Sequence, residues 1–144
     1  MLLTKVDTKL ADYRVYHPII HRIRHEVFVK EQQVPQTLEI DSVDPVALHV
    51  LAWSQGHAAG TGRLAPDGKI GRVAVYAPMR GQGVGREIMQ QLLHLARDRG
   101  HAKVKLSAQC HAIAFYQKLG FYTVGDVFEE VGIDHIEMVK RMVG

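Results

Sequence analysis

A glycine-rich stretch carries the residue types most suited to chemistry in this sequence. It reads Arg80-Gly81-Gln82-Gly83-Val84-Gly85-Arg86 and connects a predicted strand to the longest predicted helix. The first turn of a helix has free backbone N–H groups and the positive end of the helix dipole, which together favour anions. Glycines let the backbone approach an oxyanion closely, and two arginines can add charge. The pattern therefore predicts a cradle for a diphosphate.

Two common nucleotide motifs do not fit this stretch. A P-loop ends in Gly-Lys-Ser/Thr, which the sequence lacks here. A dinucleotide-binding fingerprint needs a third glycine where Arg86 stands, and an acidic residue after the next strand, Lys103–Ser107, which contains none.

A second motif follows about 30 residues later, as Ala114-Phe115-Tyr116-Gln117-Lys118-Leu119-Gly120-Phe121. Together the two motifs resemble the GNAT acetyltransferase superfamily, whose acyl-coenzyme A motif is Gln/Arg-x-x-Gly-x-Gly/Ala and whose second signature ends in a Leu-Gly-Phe turn. The stretch from Arg24 to Gln32, with the acidic residues Glu39, Asp41 and Asp44 after it, is similar to a small bacterial subgroup with mostly unassigned substrates.

The resemblance implies acetyl-coenzyme A as cosubstrate. It implies that the pantetheine arm pairs with the strand before the loop and that the loop amides hold the diphosphate. Gln109 stands where relatives often carry an asparagine that bonds pantetheine. The implied coenzyme-binding residues are Val73, Ala74, Val75, Arg80, Gly81, Gln82, Gly83, Val84, Gly85, Arg86, Gln109 and Phe115.

The resemblance also assigns a role to Tyr116, as the phenol that protonates or hydrogen-bonds the departing thiolate. A phenol with a pKa near 10 suits a thiol of pKa about 8.5. Many relatives carry a glutamate base on the strand before the loop, but Lys69–Val75 has no carboxylate. The groups that remain available as a base are the acidic residues Glu26, Glu31, Glu39 and Asp41 and the histidine His111. Of these we take Glu26, Asp41 and His111 as the candidates, unless water or an already neutral amine serves.

We therefore expect transfer of an acetyl group to a primary amine, by direct attack in a ternary complex. The acceptor would be a small molecule or a peptide amine, and a homodimer is compatible with the resemblance. The alternative is a coenzyme A-binding module that acts as a sensor or partner subunit without turnover.

Several other residues offer weaker chemistry. His17, His21 and His25 share a spacing that can bind zinc on a helix, but no cysteine or fixed carboxylate accompanies them, so we expect no metal. Cys110 beside His111 is a weak nucleophile candidate, because adjacent helical residues do not face each other. A basic rim of Arg22, Arg24, Lys30, Lys103 and Lys105 is expected to be solvated or to hold the 3′-phosphate of coenzyme A.

The elements that would position these residues follow from hydrophobic periodicity and turn signals. The predicted order is β-α-β-β-β-α-β-α-β-β, an α+β fold with a mostly antiparallel mixed sheet of about seven strands flanked by helices. The predicted strands are 2–6, 47–54, 57–65, 69–75, 103–107, 122–127 and 135–141, and the helices are 18–30, 86–99 and 111–118, with a loop or short helix at 32–45.

Length and composition agree with a single domain over residues 1–144. The 144-residue chain can bury a sizeable core, and no apolar run approaches the ~20 residues of a membrane span. The net charge of +3 comes without a run of like charges, which disfavours nucleic-acid binding. One cysteine permits no internal disulfide, and a reducing cytoplasm fits best.

Overall fold

Seven strands and four α-helices alternate along the chain in the computed structural model, which describes residues 5–142. The order agrees with the α+β prediction. The bounds are β1 (Val6–Ala11), α1 (Tyr13–Arg24), α2 (Gln36–Glu39), β2 (Leu48–Ser54), β3 (His57–Leu64), β4 (Ile70–Val75), α3 (Val84–Asp98), β5 (Lys103–Gln109), α4 (Ile113–Lys118), β6 (Tyr122–Glu130) and β7 (Ile133–Arg141).

The strands form two antiparallel sheets that diverge. The first has the order β1-β2-β3-β4 and the second has the order β5-β7-β6. Between the described residues of β4 and β5, the only ladder contact is a parallel bridge between Lys69 and Lys105, just before β4 begins. The two sheets therefore open as a split toward the carboxyl ends of β4 and β5.

Helices cover both faces of the first sheet. Ile88, Met89 and Leu92 of α3 pack with Val50 and Ala52 in the larger apolar core. On the other face, Ile20 and Ile23 of α1 pack with Leu51. Because alternate strand residues point to opposite faces, β2 supplies both cores.

Two glycines of β3 set how closely α3 approaches the sheet. A Cβ at Gly60 would lie 2.8 Å from the Ala74 carbonyl oxygen and 2.8 Å from Ile88 Cδ1. A Cβ at Gly62 would lie 2.8 Å from Ile88 and 2.9 Å from Leu92. These glycines therefore allow the close contact that fixes α3 and its N-terminal loop on the sheet.

The N-terminal boundaries differ most from the predicted ones. Strand β1 spans Val6–Ala11 rather than 2–6, and residues 2–4 lie outside the described part. Helix α1 begins at Tyr13 because Asp12 caps it by accepting from the Arg14 N–H, so Pro18 lies inside the helix rather than in its first turn. After Arg24 the chain continues as a π-helical segment, His25–Glu31.

No helix among residues 5–142 is long and apolar enough to cross a membrane.

Candidate active site

The edge of β4 that faces the split has free backbone groups. From Ile70 to Val75 the strand pairs with β3 alone among the described residues. Thr61 pairs with Ala74 and Arg63 pairs with Gly71, so Gly62 on β3 opposes both Arg72 and Val73. This is a β-bulge, and Arg72 takes a left-handed φ of 52° within it. Val73, Ala74 and Val75 thus lie between the bulge and the open end.

The glycine-rich loop lies between the end of β4 and the start of α3. Helix α3 begins at Val84, two residues earlier than predicted, so the amides of Val84, Gly85 and Arg86 are in its first turn. Gly81 and Gly83 have φ values of 78° and 84°. No atom lies within 4 Å of a Cβ built at either glycine, so the space beside them is open. An anion fits there on backbone donors.

Open grooves flank the N-terminus of α3 on two sides. One, of about 380 Å³, is lined by Val6, Gln82, Gly83, Arg86 and Glu87. The other, of about 360 Å³, is lined by Arg86, Gln90, Phe115, Lys118 and Leu119. Arg86 lies between the two, with 64% of its side chain exposed, so its charge faces both grooves.

The Arg80 side chain is already paired. Its Nη1 and Nη2 donate to the two Glu31 carboxylate oxygens at 2.6 and 2.9 Å, and its Nε donates to the Val75 carbonyl oxygen at 3.1 Å. These hydrogen bonds hold the pKa of Glu31 below its usual value. The Arg80 guanidinium is therefore occupied by protein partners, and Arg86 is the more exposed arginine of the loop.

Gln109 is the last residue of β5, at the open end of the split. Its Nε2 donates to Gln32 Oε1 at 2.9 Å, and Gln32 Nε2 lies 3.5 Å from Gln109 Oε1. The side chain of Gln109 is thus paired with another amide.

Tyr116 lies on α4 and packs against the larger core. Its ring meets Phe115 and Phe121 edge-on, with centroids 5.1 and 5.9 Å away. Burial raises the pKa of its hydroxyl to about 12. The phenol therefore keeps its proton at all physiological pH values and can act as a donor. Its neighbour Phe115 lies 3.5 Å from a Cβ built at Gly85, so α4 contacts the loop directly.

The three base candidates lie in different surroundings. Glu26 is exposed in the π-helical segment, 3.5 Å from Lys30. His111 is exposed in a 3₁₀ turn, Cys110–Ala112, between β5 and α4. Asp41 accepts hydrogen bonds from Arg63 at 2.8 and 2.9 Å and from Arg72 at 3.2 Å. Hydrogen bonds from Arg63 lower the pKa of Asp41, so it is a poor acceptor of a proton.

Asp41 belongs to a network of six charged side chains. Asp44 bonds to both Arg24 and Arg63 at 2.7 and 2.8 Å, and Arg24 also pairs with Glu39. The three carboxylates lie between α1 and β2, and the three arginines come from α1, β3 and β4: Arg24, Arg63 and Arg72. Equal numbers of opposite charges explain how four of the six are almost fully buried.

Sequence reasoning missed most of this network. Arg24 was expected on a solvated basic rim, yet it is 1% exposed. The available signal was the placement of Arg63 and Arg72 within otherwise apolar strands, because charged residues are rarely buried without partners. Arg72 further bonds the Glu39 carbonyl oxygen at 3.1 Å and thereby connects the bulge of β4 to the acidic segment.

Known proteins resemble the chain over nearly its whole length. A family model described as "Acetyltransferase (GNAT) domain" matches residues 7–142. The uncharacterized N-acetyltransferase YjcF of Bacillus subtilis is 37% identical over 122 residues, which cover 82% of this chain and 87% of that protein. The protein ElaA of Escherichia coli is 34% identical over 130 residues, 85% of each chain.

Solved structures agree with these matches. The crystal structure of E. coli ElaA aligns with a TM-score of 0.79 and 30% identity, covering 96% of this chain and all of that one. An acyl-CoA N-acyltransferase from Pseudomonas aeruginosa aligns with a TM-score of 0.81 and 32% identity, covering 94% and 99%.

Proposed function

The chain belongs to the GNAT acetyltransferase family, and from that premise we propose that it transfers an acetyl group from acetyl-coenzyme A to a primary amine. The observation that supports this most directly is the arrangement at β4. Beyond the Lys69–Lys105 bridge, β4 diverges from β5. The glycine-rich loop follows the end of β4 and leads into the first turn of α3.

The donor is expected to bind along β4 and across the loop. The backbone of Val73, Ala74 and Val75 would pair with amide groups of the pantetheine arm, as an added strand pairs with a sheet edge. Amides from Arg80 to Arg86 would hold the diphosphate. The groove beside Phe115 and Lys118 would hold the rest of the nucleotide, with Arg86 facing both regions.

Coenzyme A supplies the acetyl group as a thioester when it is bound. The chain's own contribution is to fix the thioester against β4, so that the amine needs only to approach it. Backbone N–H groups at the open edge of β4 would polarise the carbonyl. Tyr116 would donate a hydrogen bond to the departing sulfur, since burial keeps the phenol protonated.

We propose that either Glu26 or His111 is the general base. Asp41 is the least suited of the three predicted candidates, because Arg63 and Arg72 both bind its carboxylate. A carboxylate on the acceptor side would also favour a cationic amine. A pH–rate profile of the parent, Glu26→Gln and His111→Ala assigns the group. We expect Glu26→Gln to lose the most rate, and parental profiles in both variants would contradict a side-chain base.

Thiol release from acetyl-coenzyme A, measured over a panel of small amines and peptides, tests the proposed reaction. The proposal predicts release that depends on the amine and an acetylated product of matching mass. Tight coenzyme A binding without release for any amine would favour the alternative, a non-catalytic coenzyme A-binding module. The missing carboxylate on β4 is the feature that keeps this alternative open.

We also propose a reducing, cytoplasmic setting, which suits the single Cys110. A homodimer is a further proposal, to be tested by light scattering.

A further inference from the structure

We propose that Glu31 and Gln32 are positioning residues that hold β4 and β5 at the separation that coenzyme A needs. They are neighbours at the end of the π-helical segment, and each binds a different side of the split. The proposal rests on the proposed function for its consequence, since it concerns the same donor site.

Glu31 holds the β4 side. Both oxygens of its carboxylate accept from Arg80, at 2.6 and 2.9 Å. The same guanidinium donates from Nε to the carbonyl oxygen of Val75, the last residue of β4. Glu31 thereby fixes the end of β4 together with the first residue of the glycine-rich loop. A paired, two-point contact of this kind restrains direction as well as distance.

Gln32 holds the β5 side. Its side-chain amide meets that of Gln109 head to head, with the shorter hydrogen bond at 2.9 Å. Gln109 ends β5, so this contact lies at the carboxyl end of the strand. At the opposite end, the Lys69–Lys105 bridge joins the two strands. The split is therefore tied at both ends, once by backbone and once through residues 31–32.

The π-helical geometry explains how two adjacent residues can reach opposite sides. Neighbouring residues of a helix do not face the same way, so their side chains diverge. The segment ends with the Gln32 N–H bonded to the Val27 carbonyl at 3.1 Å, and Gln33 then takes a left-handed φ of 61°. π-Helical segments are rare and are frequently found at functional sites.

A competing account assigns the Arg80 side chain to the diphosphate and makes Glu31 its competitor. The two accounts predict opposite signs. If Glu31 positions Arg80, its removal weakens coenzyme A binding. If Glu31 competes with the diphosphate, its removal frees a cation and strengthens binding. The bond from Arg80 Nε to Val75 favours the positioning role, because it directs the guanidinium back toward β4.

The test compares Glu31→Ala and Gln32→Ala with two matched controls, Asp98→Ala and Gln36→Ala. Asp98 belongs to an exposed ion pair with His94 on α3, and Gln36 is an exposed glutamine of α2. Amide hydrogen exchange without ligand, followed by calorimetric titration with coenzyme A, gives two independent readouts. Glu31→Gln keeps one hydrogen-bond acceptor and should recover part of the binding.

We expect faster exchange at residues 73–76 in Glu31→Ala and at residues 107–110 in Gln32→Ala, with parental exchange in both controls. The Kd for coenzyme A should rise about three- to tenfold, the value of one or two hydrogen bonds. KM for acetyl-coenzyme A should rise with it, while kcat at saturation stays within about twofold. Gln32→Ala combined with Gln109→Ala should be no worse than Gln109→Ala alone, because Gln32 acts through Gln109.

Tighter coenzyme A binding by Glu31→Ala would overturn the proposal in favour of the competitor account. Parental amide exchange and a parental Kd in Glu31→Ala and Gln32→Ala would also overturn it. If the parent itself bound no coenzyme A, the proposed function would fail. The ligand-free exchange data would then still decide whether residues 31–32 hold the strands together.

Discussion

At the scale of single residues, the proposed role of Tyr116 depends on the surroundings of its hydroxyl. Its ring lies among aromatic neighbours, and the part of the chain that the structure describes provides no hydrogen-bond partner for its hydroxyl. A hydroxyl without a partner at the edge of the core is free to bond a ligand. Burial keeps it protonated, which is the state that a hydrogen-bond donor to the departing sulfur needs.

Tyr116→Phe should therefore lower kcat by about tenfold or more, with a smaller change in KM, because the hydroxyl matters most as charge develops on sulfur. Thermal stability should change little, since the ring packing is kept. Steady-state kinetics and a melting curve measure both effects. A fall in kcat of less than about twofold would reduce Tyr116 to a packing residue.

The buried ion network gives a prediction for stability against pH. Burial alone would raise the pKa of Asp44, but hydrogen bonds and charge from Arg24 and Arg63 outweigh it and lower this pKa to about 2 from 3.8. Because the pKa of Asp44 is lower in the folded state than in the unfolded state, its charge stabilises the fold fully above pH 3.8. This stabilisation disappears as the pH falls through about 2. The shift corresponds to about 2 kcal/mol of the free energy of unfolding.

Asp44→Asn should lose about 3 kcal/mol or more near neutral pH, because two buried guanidinium groups lose a charged partner. The gap to the parent should narrow as the pH falls from about 4 to 2. Urea unfolding at a series of pH values measures this, with exposed Asp98→Asn as the control. A gap of constant size across that range would show that the Asp44 charge does not stabilise the fold.

Residue types alone predicted the position of the glycine-rich loop between β4 and α3, and they missed the contacts of the acidic residues. The loop was predictable because glycines and arginines before a strong helix have few other uses. Asp41 was not, because its role depends on Arg63 and Arg72, which lie 22 and 31 positions away in the sequence. Long-range pairing of this kind leaves no local pattern.

At the scale of elements, the position of α3 depends on β3. Gly60→Ala should destabilise the protein by about 1–3 kcal/mol, because the new Cβ would lie 2.8 Å from a backbone carbonyl oxygen that cannot move independently. It should also weaken coenzyme A binding, since α3 carries the loop. Gly71→Ala on β4 is the control, because no atom lies within 4 Å of its Cβ. Chemical denaturation that gives equal stabilities for both variants would contradict this account.

Hydrophobic periodicity predicted the type of nearly every element, while their ends depended on other interactions. Strands β2 to β5 and helix α3 lie within two residues of the predicted bounds at each end. Helix α1 begins five residues before its predicted start because Asp12 caps it, accepting from the backbone N–H groups of Arg14 and Tyr16. The π-helical segment could not be predicted, because it shares its residue preferences with an α-helix.

At the scale of the whole molecule, the split between two antiparallel sheets, which the Lys69–Lys105 bridge joins within residues 5–142, provides the candidate site. The order of elements predicted the fold class, and the family match confirms it.

The most direct test of the donor site is an amide NMR titration of the ¹⁵N-labelled protein with coenzyme A. Binding along the split predicts the largest shifts at residues 73–76 and 81–86, with smaller ones near 109 and 115–118. Saturable shifts confined to these segments would support the account. The absence of shifts at millimolar coenzyme A, or shifts centred on β6 and the far end of α3, would contradict it.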